Sequence, residues 1–183
     1  LKKPEIGIVI KQDILENRVK FCYLSIGSNL GNRKKNIETS KYLLRKLNIF
    51  PIKTSSIYET LSWPNIKHPK YYNIVLKAHT RLNPINLFKN IKYIEKKLGR
   101  TKTKKNAPRT CDIDIIDFNG KIFDLEINKK KLIIPHPRLS RRNFVIIPLF
   151  EIEKSWFHPS LKKKIVDLLG NLGTVPIRAI KQI

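Results

Sequence analysis

The sequence predicts an α/β fold of the α+β type, with the ferredoxin-like order β-α-β-β-α-β, an antiparallel sheet and additional C-terminal strand and helix elements. Short runs that alternate apolar and polar residues, as half-buried strands do, are separated by two longer stretches with apolar residues at helical spacing. The order of these segments is that of the split βαβ arrangement. The composition is globular, because 41% of the 183 residues are hydrophobic and 28% are charged.

The first part of the pattern contains a strand, a helix and a second strand. Residues 21–26 alternate and end at a turn that begins at Gly27. Asn32 suits the N-cap of the following helix, because its side chain can accept a hydrogen bond from a free N–H group of the first turn. The segment 52–60 favours a strand, and the proline-containing segment 61–69 favours a loop. The expected buried stripe of the helix consists of Ile37, Ser40, Leu44 and Leu47.

The second part repeats this order. Residues 71–79 favour a strand in which Tyr71 and Asn73 share one face. The Asn-Pro pair at 83–84 supplies a cap and a first-turn proline for a helix that Gly99 ends. The later elements are expected as strands at 111–118, 121–126 (returning after a turn) and 132–134, and as helices at 144–152 and 161–169.

We expect one domain at residues 21–183, preceded by residues 1–20 as an N-terminal extension or linker remnant. No apolar run reaches the roughly 18–20 residues of a membrane span, so no membrane partner is expected. Cys22 and Cys111 lie in apolar, strand-like runs. They are expected as buried free thiols in a reducing compartment, which favours a cytoplasmic location.

The formal net charge of +24 would attract a polyanion, such as a nucleic acid or a nucleotide phosphate. Most of this charge is expected on lysines spread over a solvated surface, but the bases between residues 96 and 109 form a local cluster. The charge and the ferredoxin-like order leave open a basic RNA-binding module. Such a module should bind RNA with an affinity that falls steeply with salt, whereas a nucleotide-binding enzyme should require Mg²⁺.

Asp112 and Asp114 are the most informative residues of the chain. Alternate residues of a strand point to the same face, so the two carboxylates are expected side by side with Ile113 on the opposite face. Adjacent carboxylates repel each other unless a cation lies between them. Mg²⁺ prefers one or two carboxylates together with substrate phosphates. The pair therefore indicates a metal–nucleotide site, and the alternative is a pair of exposed charges on an edge strand.

Six motifs occur in order and together resemble the 6-hydroxymethyl-7,8-dihydropterin pyrophosphokinase family of the folate pathway. The resemblance runs from about Phe21 to the C-terminus. A single Asp-x-Asp motif would be weak support, whereas six ordered motifs at compatible spacing are specific. They lie at 23–31, 55–60, 71–73, 94–100, 108–114 and 135–144.

The resemblance implies transfer of the terminal diphosphate of ATP to the hydroxymethyl group of 6-hydroxymethyl-7,8-dihydropterin, leaving AMP. It implies two Mg²⁺ ions, held by Asp112 and Asp114, and ATP as co-substrate. No nucleic-acid partner is expected, and fusion or proximity to other folate enzymes is compatible with the family. The implied catalytic residues are Arg100, Arg109, Asp112 and Asp114. The implied ATP-binding residues are Arg100, Lys102, Arg109, Ile115, Lys131, His136 and Arg142. The implied pterin-binding residues are Thr60, Trp63, Tyr71, Asn73, Asp112 and Phe144.

The chain departs from the family pattern at two loops. Residues 105–107 read Lys-Asn-Ala where the family often carries Arg-Trp-Gly, so a tryptophan lid at this position is not expected. Residues 61–62 read Leu-Ser where two prolines are common, so this loop is expected to be less rigid. The basic loop 100–109 has almost no apolar anchor and is expected to become ordered when ATP binds. Tyr71 and Phe144 have the alternative role of plain core aromatics.

Overall fold

The computed structural model describes residues 18–100, 106–127, 130–173 and 179–183. The N-terminal part of this chain contains five strands and two long helices among the described residues. They are β1 (Lys20–Ser28), α1 (Arg33–Lys46), β2 (Ile49–Thr54), β3 (Tyr58–Thr60), β4 (Tyr71–Thr80), α2 (Pro84–Lys97) and β5 (Asp112–Phe118).

The C-terminal part adds shorter elements. Within the described ranges, no helix is long and apolar enough to cross a membrane. A 3-10 turn occupies Leu139–Arg141. The other elements are β6 (Phe123–Ile127), β7 (Lys130–Ile134), α3 (Asn143–Ile152), β8 (Phe157–His158), β9 (Lys163–Lys164), α4 (Ile165–Gly170) and β10 (Ile180–Gln182).

The main sheet, as far as the chain is described, has six strands in the order β10-β3-β4-β1-β5, and β2 also pairs with β4. All of these pairings are antiparallel. The β1-α1-β2 unit spans β4, and the β4-α2-β5 unit spans β1. The predicted ferredoxin-like fold is therefore confirmed, including its C-terminal additions.

Both long helices begin where the sequence predicts. The Asn32 side chain accepts a 3.0 Å hydrogen bond from the backbone N–H group of Lys35, and Asn83 accepts one of 2.8 Å from Asn86. Each cap satisfies one backbone donor that would otherwise lack an intrahelical partner. The buried side chains of α1 are Ile37, Ser40 and Leu44, and those of α2 include Leu87, Ile91, Ile94 and Glu95.

Two apolar clusters lie on opposite faces of the sheet. The face covered by α1 and α2 receives Leu24 of β1 and Ile113 of β5. The other face, covered by α3 and α4, receives Tyr23 of β1 and Val75 of β4. The residues of β5 that flank Ile113 therefore point towards the α3 side of the sheet. Cys22 and Cys111 are buried free thiols, as predicted.

The predicted single strand at 52–60 is wrong, because the structure has two strands separated at residues 55–57. The Ser55 hydroxyl accepts a 3.0 Å hydrogen bond from the backbone N–H group of Val75. The Ser56 N–H group donates to the Glu151 carboxylate at 3.0 Å and 3.1 Å. Side-chain groups thus replace regular ladder partners at this break.

The predicted return strand at 121–126 also differs from the structure. The corresponding strand, β6, pairs with β7 in a separate two-stranded sheet and meets β5 only through the isolated bridge between Phe118 and Lys121. The Phe123 ring packs edge-on against Phe118, with ring centroids 5.8 Å apart. Phe123 is buried in the apolar cluster on the sheet face covered by α1 and α2. This burial favours a path in which the chain leaves the main sheet after the turn at residues 119–120.

Candidate active site

Asp112 and Asp114 lie side by side on β5, as the strand period predicts. In the antiparallel register with β1, Asp112 faces Gly27 and Asp114 faces Ser25. Their side chains are 27% and 31% exposed, whereas Ile113 between them is buried on the opposite face. The two carboxylates are thus held on a strand that is paired along β1, and they remain accessible from the α3 side.

Two arginines close on Asp112. The Nη1 atom of Arg100 donates to Oδ1 at 2.9 Å, and the Nη1 atom of Arg109 donates to Oδ2 at 2.9 Å. Arg100 follows α2 and Arg109 precedes β5, so the contacts join the two ends of the basic loop. Its centre, residues 101–105, lies outside the described residues, and this includes Lys102 and half of the segment expected to order with ATP.

Asp114 is paired with Arg142 and His136. The Arg142 Nη1 atom donates to Oδ2 at 2.7 Å, and the His136 Nε2 atom lies 3.8 Å from the same oxygen. Burial favours a raised pKa for Asp114, but the neighbouring charges of His136 and Arg142 outweigh it and lower the pKa. Burial lowers the pKa of His136, which favours its neutral form at neutral pH. Arg142 is always charged, so it is the cation that pairs with Asp114 under these conditions.

Glu95 supports this arrangement from beneath. It is 1% exposed and accepts a 2.9 Å hydrogen bond from the backbone N–H group of Ile113, which lies between the two aspartates. Its carboxylate also accepts from Lys92 Nζ at 2.8 Å and contacts the Arg100 guanidinium. One buried side chain of α2 therefore fixes both the aspartate strand and the arginine.

A cleft of about 210 Å³ opens beside Asp114. Ile115, Lys131 and His136, three of the predicted ATP-binding residues, line it together with Asp114. Six further residues line the cleft and carry no site signal in the motifs. Helical spacing could have indicated those from α2, since they lie one turn apart on the side that carries Glu95. The additional residues are Phe88, Lys92, Ile113, Leu132, Ile133 and Pro137.

The predicted pterin-binding residues Thr60, Tyr71 and Asn73 meet at the ends of β3 and β4. The buried Asn73 amide donates to the Thr60 hydroxyl at 2.9 Å. A Cβ atom at Gly27 would lie only 3.0 Å from Asn73 Oδ1 and 3.4 Å from Tyr71 Cδ1, so glycine leaves the space that these side chains occupy. Burial, and then the charge of Asp112, raises the pKa of Tyr71, which places its hydroxyl within the electrostatic reach of the aspartate site.

The two remaining predicted pterin residues differ in their surroundings. Phe144 is half-buried at the start of α3, and its ring centroid lies 5.5 Å from the Arg142 guanidinium carbon. Trp63 is 82% exposed in the loop between β3 and β4, so most of its ring faces solvent. The structure thus brings Phe144 next to the aspartate site through Arg142, whereas it does not enclose Trp63.

Comparisons with known proteins show the family to which the chain belongs. The family model of 7,8-dihydro-6-hydroxymethylpterin-pyrophosphokinase (HPPK) matches residues 23–154. The chain is 41% identical over 152 residues to the folic acid synthesis protein fol1 of Pneumocystis carinii, covering 79% of this chain and 20% of that protein. It is 38% identical over 147 residues to the 2-amino-4-hydroxy-6-hydroxymethyldihydropteridine pyrophosphokinase of Aquifex aeolicus, covering 79% and 88% of the two chains.

A crystal structure of Plasmodium falciparum HPPK-DHPS with pterin and p-hydroxybenzoate has the same fold, with a TM-score of 0.75 at 17% identity over 99% of this chain and 49% of that one. This chain spans about a fifth of the length of the first curated relatives, of which it covers 20% and 21%. The family prediction is confirmed, which favours the enzyme over the RNA-binding alternative. The chain belongs to the 7,8-dihydro-6-hydroxymethylpterin-pyrophosphokinase family.

Proposed function

We propose that this domain transfers the terminal diphosphate of ATP to the hydroxymethyl group of 6-hydroxymethyl-7,8-dihydropterin, giving AMP and the pterin diphosphate. One observation carries the proposal beyond family membership. The Thr60–Asn73 pair lies on the same face of the sheet as Asp112 and Asp114, with Gly27 of β1 between them in the strand register. A flat polar ligand and a phosphate chain can therefore be held next to each other.

The pterin pocket combines hydrogen bonding with ring contact. The Asn73 amide and the Thr60 hydroxyl supply donors and acceptors at the pocket floor, and both are buried. Tyr71 and Phe144 supply aromatic rings that can stack on a bicyclic ligand. Trp63 would have to move from its exposed position to add a third ring.

ATP is assigned to the cleft beside Asp114. Ile115 provides an apolar wall, and Lys131 and His136 provide polar groups at its edge. The phosphates would then extend towards the guanidinium groups of Arg100, Arg109 and Arg142. The planar fork of arginine suits bidentate phosphate contacts, which a lysine ammonium cannot reproduce.

The residues present also fit Mg²⁺. Asp112 and Asp114 offer hard oxygen ligands on one face of a strand, and the described part of the chain contains no cluster of three potential metal-binding side chains. Mg²⁺ commonly uses one or two carboxylates and takes its remaining ligands from phosphates and water. We assign Mg²⁺ to this pair, and we take the number of two ions from the family resemblance. When bound, they would neutralise charge on the phosphate oxygens.

The chain's own side chains position the reactants and stabilise charge. The pterin hydroxyl oxygen forms a bond to the β-phosphorus of ATP and loses its proton to solvent, and the bond from that phosphorus to the oxygen bridging to the α-phosphate breaks as AMP leaves. Asn73 and the aromatic pair would orient the hydroxymethyl group for this in-line displacement. Arg100 and Arg109 would contact the phosphates as negative charge spreads in the transition state.

AMP release, measured with the purified protein, ATP and the hydroxymethyl pterin, tests the proposal. Release should require both the pterin and Mg²⁺. Asp112→Asn and Asp114→Asn should each lower the rate by at least on the order of a hundredfold, because metal and phosphate contacts are lost together. Glu38→Gln, at an exposed ion pair on α1, is the control and should leave the rate unchanged. Near-native rates in both aspartate variants would refute the assignment.

A further inference from the structure

Asn29 connects the two halves of the proposed site. It follows β1 directly and is 1% exposed, although its side chain is polar. A buried amide is costly unless its oxygen and its nitrogen both find partners. Asn29 finds them on two different loops, neither of which is adjacent to it in the sequence.

The first partner is the backbone of Arg109. The Arg109 N–H group donates to Asn29 Oδ1 at 2.7 Å, and the Asn29 N–H group donates to the Arg109 carbonyl at 3.0 Å. This reciprocal pair holds the main chain of Arg109 at the point where its side chain reaches Asp112. The position of the phosphate-contacting guanidinium therefore depends on Asn29.

The second partner is the loop at 61–70, which joins Thr60 to Tyr71 at the pterin pocket. Asn29 Nδ2 donates to the Ser62 hydroxyl at 3.1 Å and to the Pro69 carbonyl at 3.1 Å. Ser62 itself donates to the Pro69 carbonyl at 2.5 Å, so the two ends of the loop are closed against each other. The amide of Asn29 completes this closure.

Asparagine suits this position because an amide accepts through its oxygen while it donates through its nitrogen. An aspartate of nearly the same shape would still accept from Arg109. It could not donate, and it would face the Pro69 carbonyl with a negative charge. Replacing asparagine by aspartate therefore keeps the hydrogen bond from Arg109 and removes the two that Asn29 donates to the loop at 61–70.

We infer that Asn29 is a positioning residue that couples occupancy of the pterin pocket to the placement of Arg109 on the nucleotide phosphates. The inference rests on the proposed function, because it assigns the pterin to the Thr60–Tyr71 side and ATP to the Arg109 side. Ordering of the loop at 61–70 by the pterin fixes the amide of Asn29, and the amide then fixes Arg109. By linkage, ATP strengthens pterin binding by the same factor.

The test is calorimetric titration of a non-hydrolysable ATP analogue with Mg²⁺ and of the hydroxymethyl pterin, each alone and each in the presence of the other. The coupling factor in the unaltered protein should fall in the roughly 5- to 150-fold range of linked sites, and in Asn29→Asp it should drop to within about twofold of one. A general loss of structure would instead weaken the binding of both ligands and leave the coupling factor unchanged. That result, or an unchanged coupling in Asn29→Asp, would overturn the inference.

Two further variants complete the test. Asn36→Asp adds the same charge nearby. Among the described residues the Asn36 amide donates to Ser28 and Leu30 and to neither loop, so the coupling should persist. If Asn29→Asp does not fold, Ser62→Ala replaces it, because this change removes one partner of Asn29 and should also reduce the coupling. An unaltered protein that binds neither ligand refutes the proposed function, whereas one that binds both independently overturns only the role of Asn29.

Discussion

Glu95→Gln should destabilise the protein and impair the site, although glutamine has nearly the same shape. Glutamine keeps an oxygen that can accept from the Ile113 N–H group. It loses the negative charge that faces Lys92 and Arg100. The Glu95 side chain is 2% exposed, while these two partners are 38% and 26% exposed, so each contact is only partly screened by water. Hydrogen bonds to charged groups contribute about 1.5–3 kcal/mol each.

The expected net loss is about 2–3 kcal/mol of unfolding free energy, because both partners can recover some hydration at their exposed ends. With a urea dependence of roughly 2 kcal/mol per molar, this corresponds to a midpoint lowered by about 1–1.5 M. The rate of AMP release should fall as well, since Arg100 would then rest on Asp112 alone. Urea titrations and the AMP assay measure the two effects on the same sample.

Glu38→Gln is the matched control for Glu95→Gln. Its carboxylate pairs with Lys41 at the same i,i+3 spacing but is 56% exposed. An exposed pair of this kind contributes about 0.5 kcal/mol or less. If Glu95→Gln shifted the urea midpoint no more than Glu38→Gln, the buried ion pairs of Glu95 with Lys92 and Arg100 would not stabilise the fold, and the prediction would be wrong.

Two further predictions concern the acid range and the pterin pocket. Hydrogen bonds from Lys77 and then Ser155 lower the pKa of Glu153 to about 2 from 4.5, so its stabilisation is present above pH 4.5 and is lost as the pH falls towards 2. The free energies of unfolding of the unaltered protein and Glu153→Gln, measured by urea titration, should differ by ~1 kcal/mol at pH 5 and converge near pH 2, and a constant difference would contradict this. Tyr71→Ala and Phe144→Ala should weaken pterin binding by on the order of 1–3 kcal/mol and ATP binding less, whereas equal calorimetric losses for both ligands would indicate core residues.

The local features of the fold could be predicted from the sequence. Asn32 and Asn83 predict where the two long helices begin, because a capping side chain bonds to N–H groups only two or three residues away. The alternation from Asp112 to Ile115 predicts the face of each side chain for the same reason, since strand geometry is local.

Features that depend on distant partners could not be predicted. A bulge opposite Tyr23 and Leu24 interrupts the alternation of β5, so Asp117 turns to the α3 side and accepts a 2.8 Å hydrogen bond from the Trp156 indole. Strict alternation would have placed Asp117 on the other face. The Glu151 carboxylate accepts a hydrogen bond from the Ser56 N–H group, 95 residues away, where the predicted strand is interrupted. The sequence around Ser56 does not predict this contact.

The pairing of the site residues also depends on contacts between residues that are far apart in the sequence. Asn29 meets Arg109 across 80 residues, and Arg142 meets Asp114 across 28. The motifs identified Arg109, Arg142 and Asp114 as candidates but not Asn29, and all of these pairings follow from the folded chain. The exposed position of Trp63 likewise depends on how its loop is closed by Ser62 and Pro69.

The pairing of the aspartates with arginines has a consequence for the order in which ligands can be accepted. Asp112 already pairs with Arg100 and Arg109, and Asp114 already pairs with Arg142, so each of these charges has a counterion within the site. Under the proposed function, a free divalent cation would have to displace these arginines without offering them another anion, so its binding would gain little free energy. A metal–nucleotide complex would offer both partners, because its phosphates would contact the guanidinium groups while its metal bound the carboxylates. Binding would then exchange one set of ionic partners for another, and the site would discriminate against either component alone.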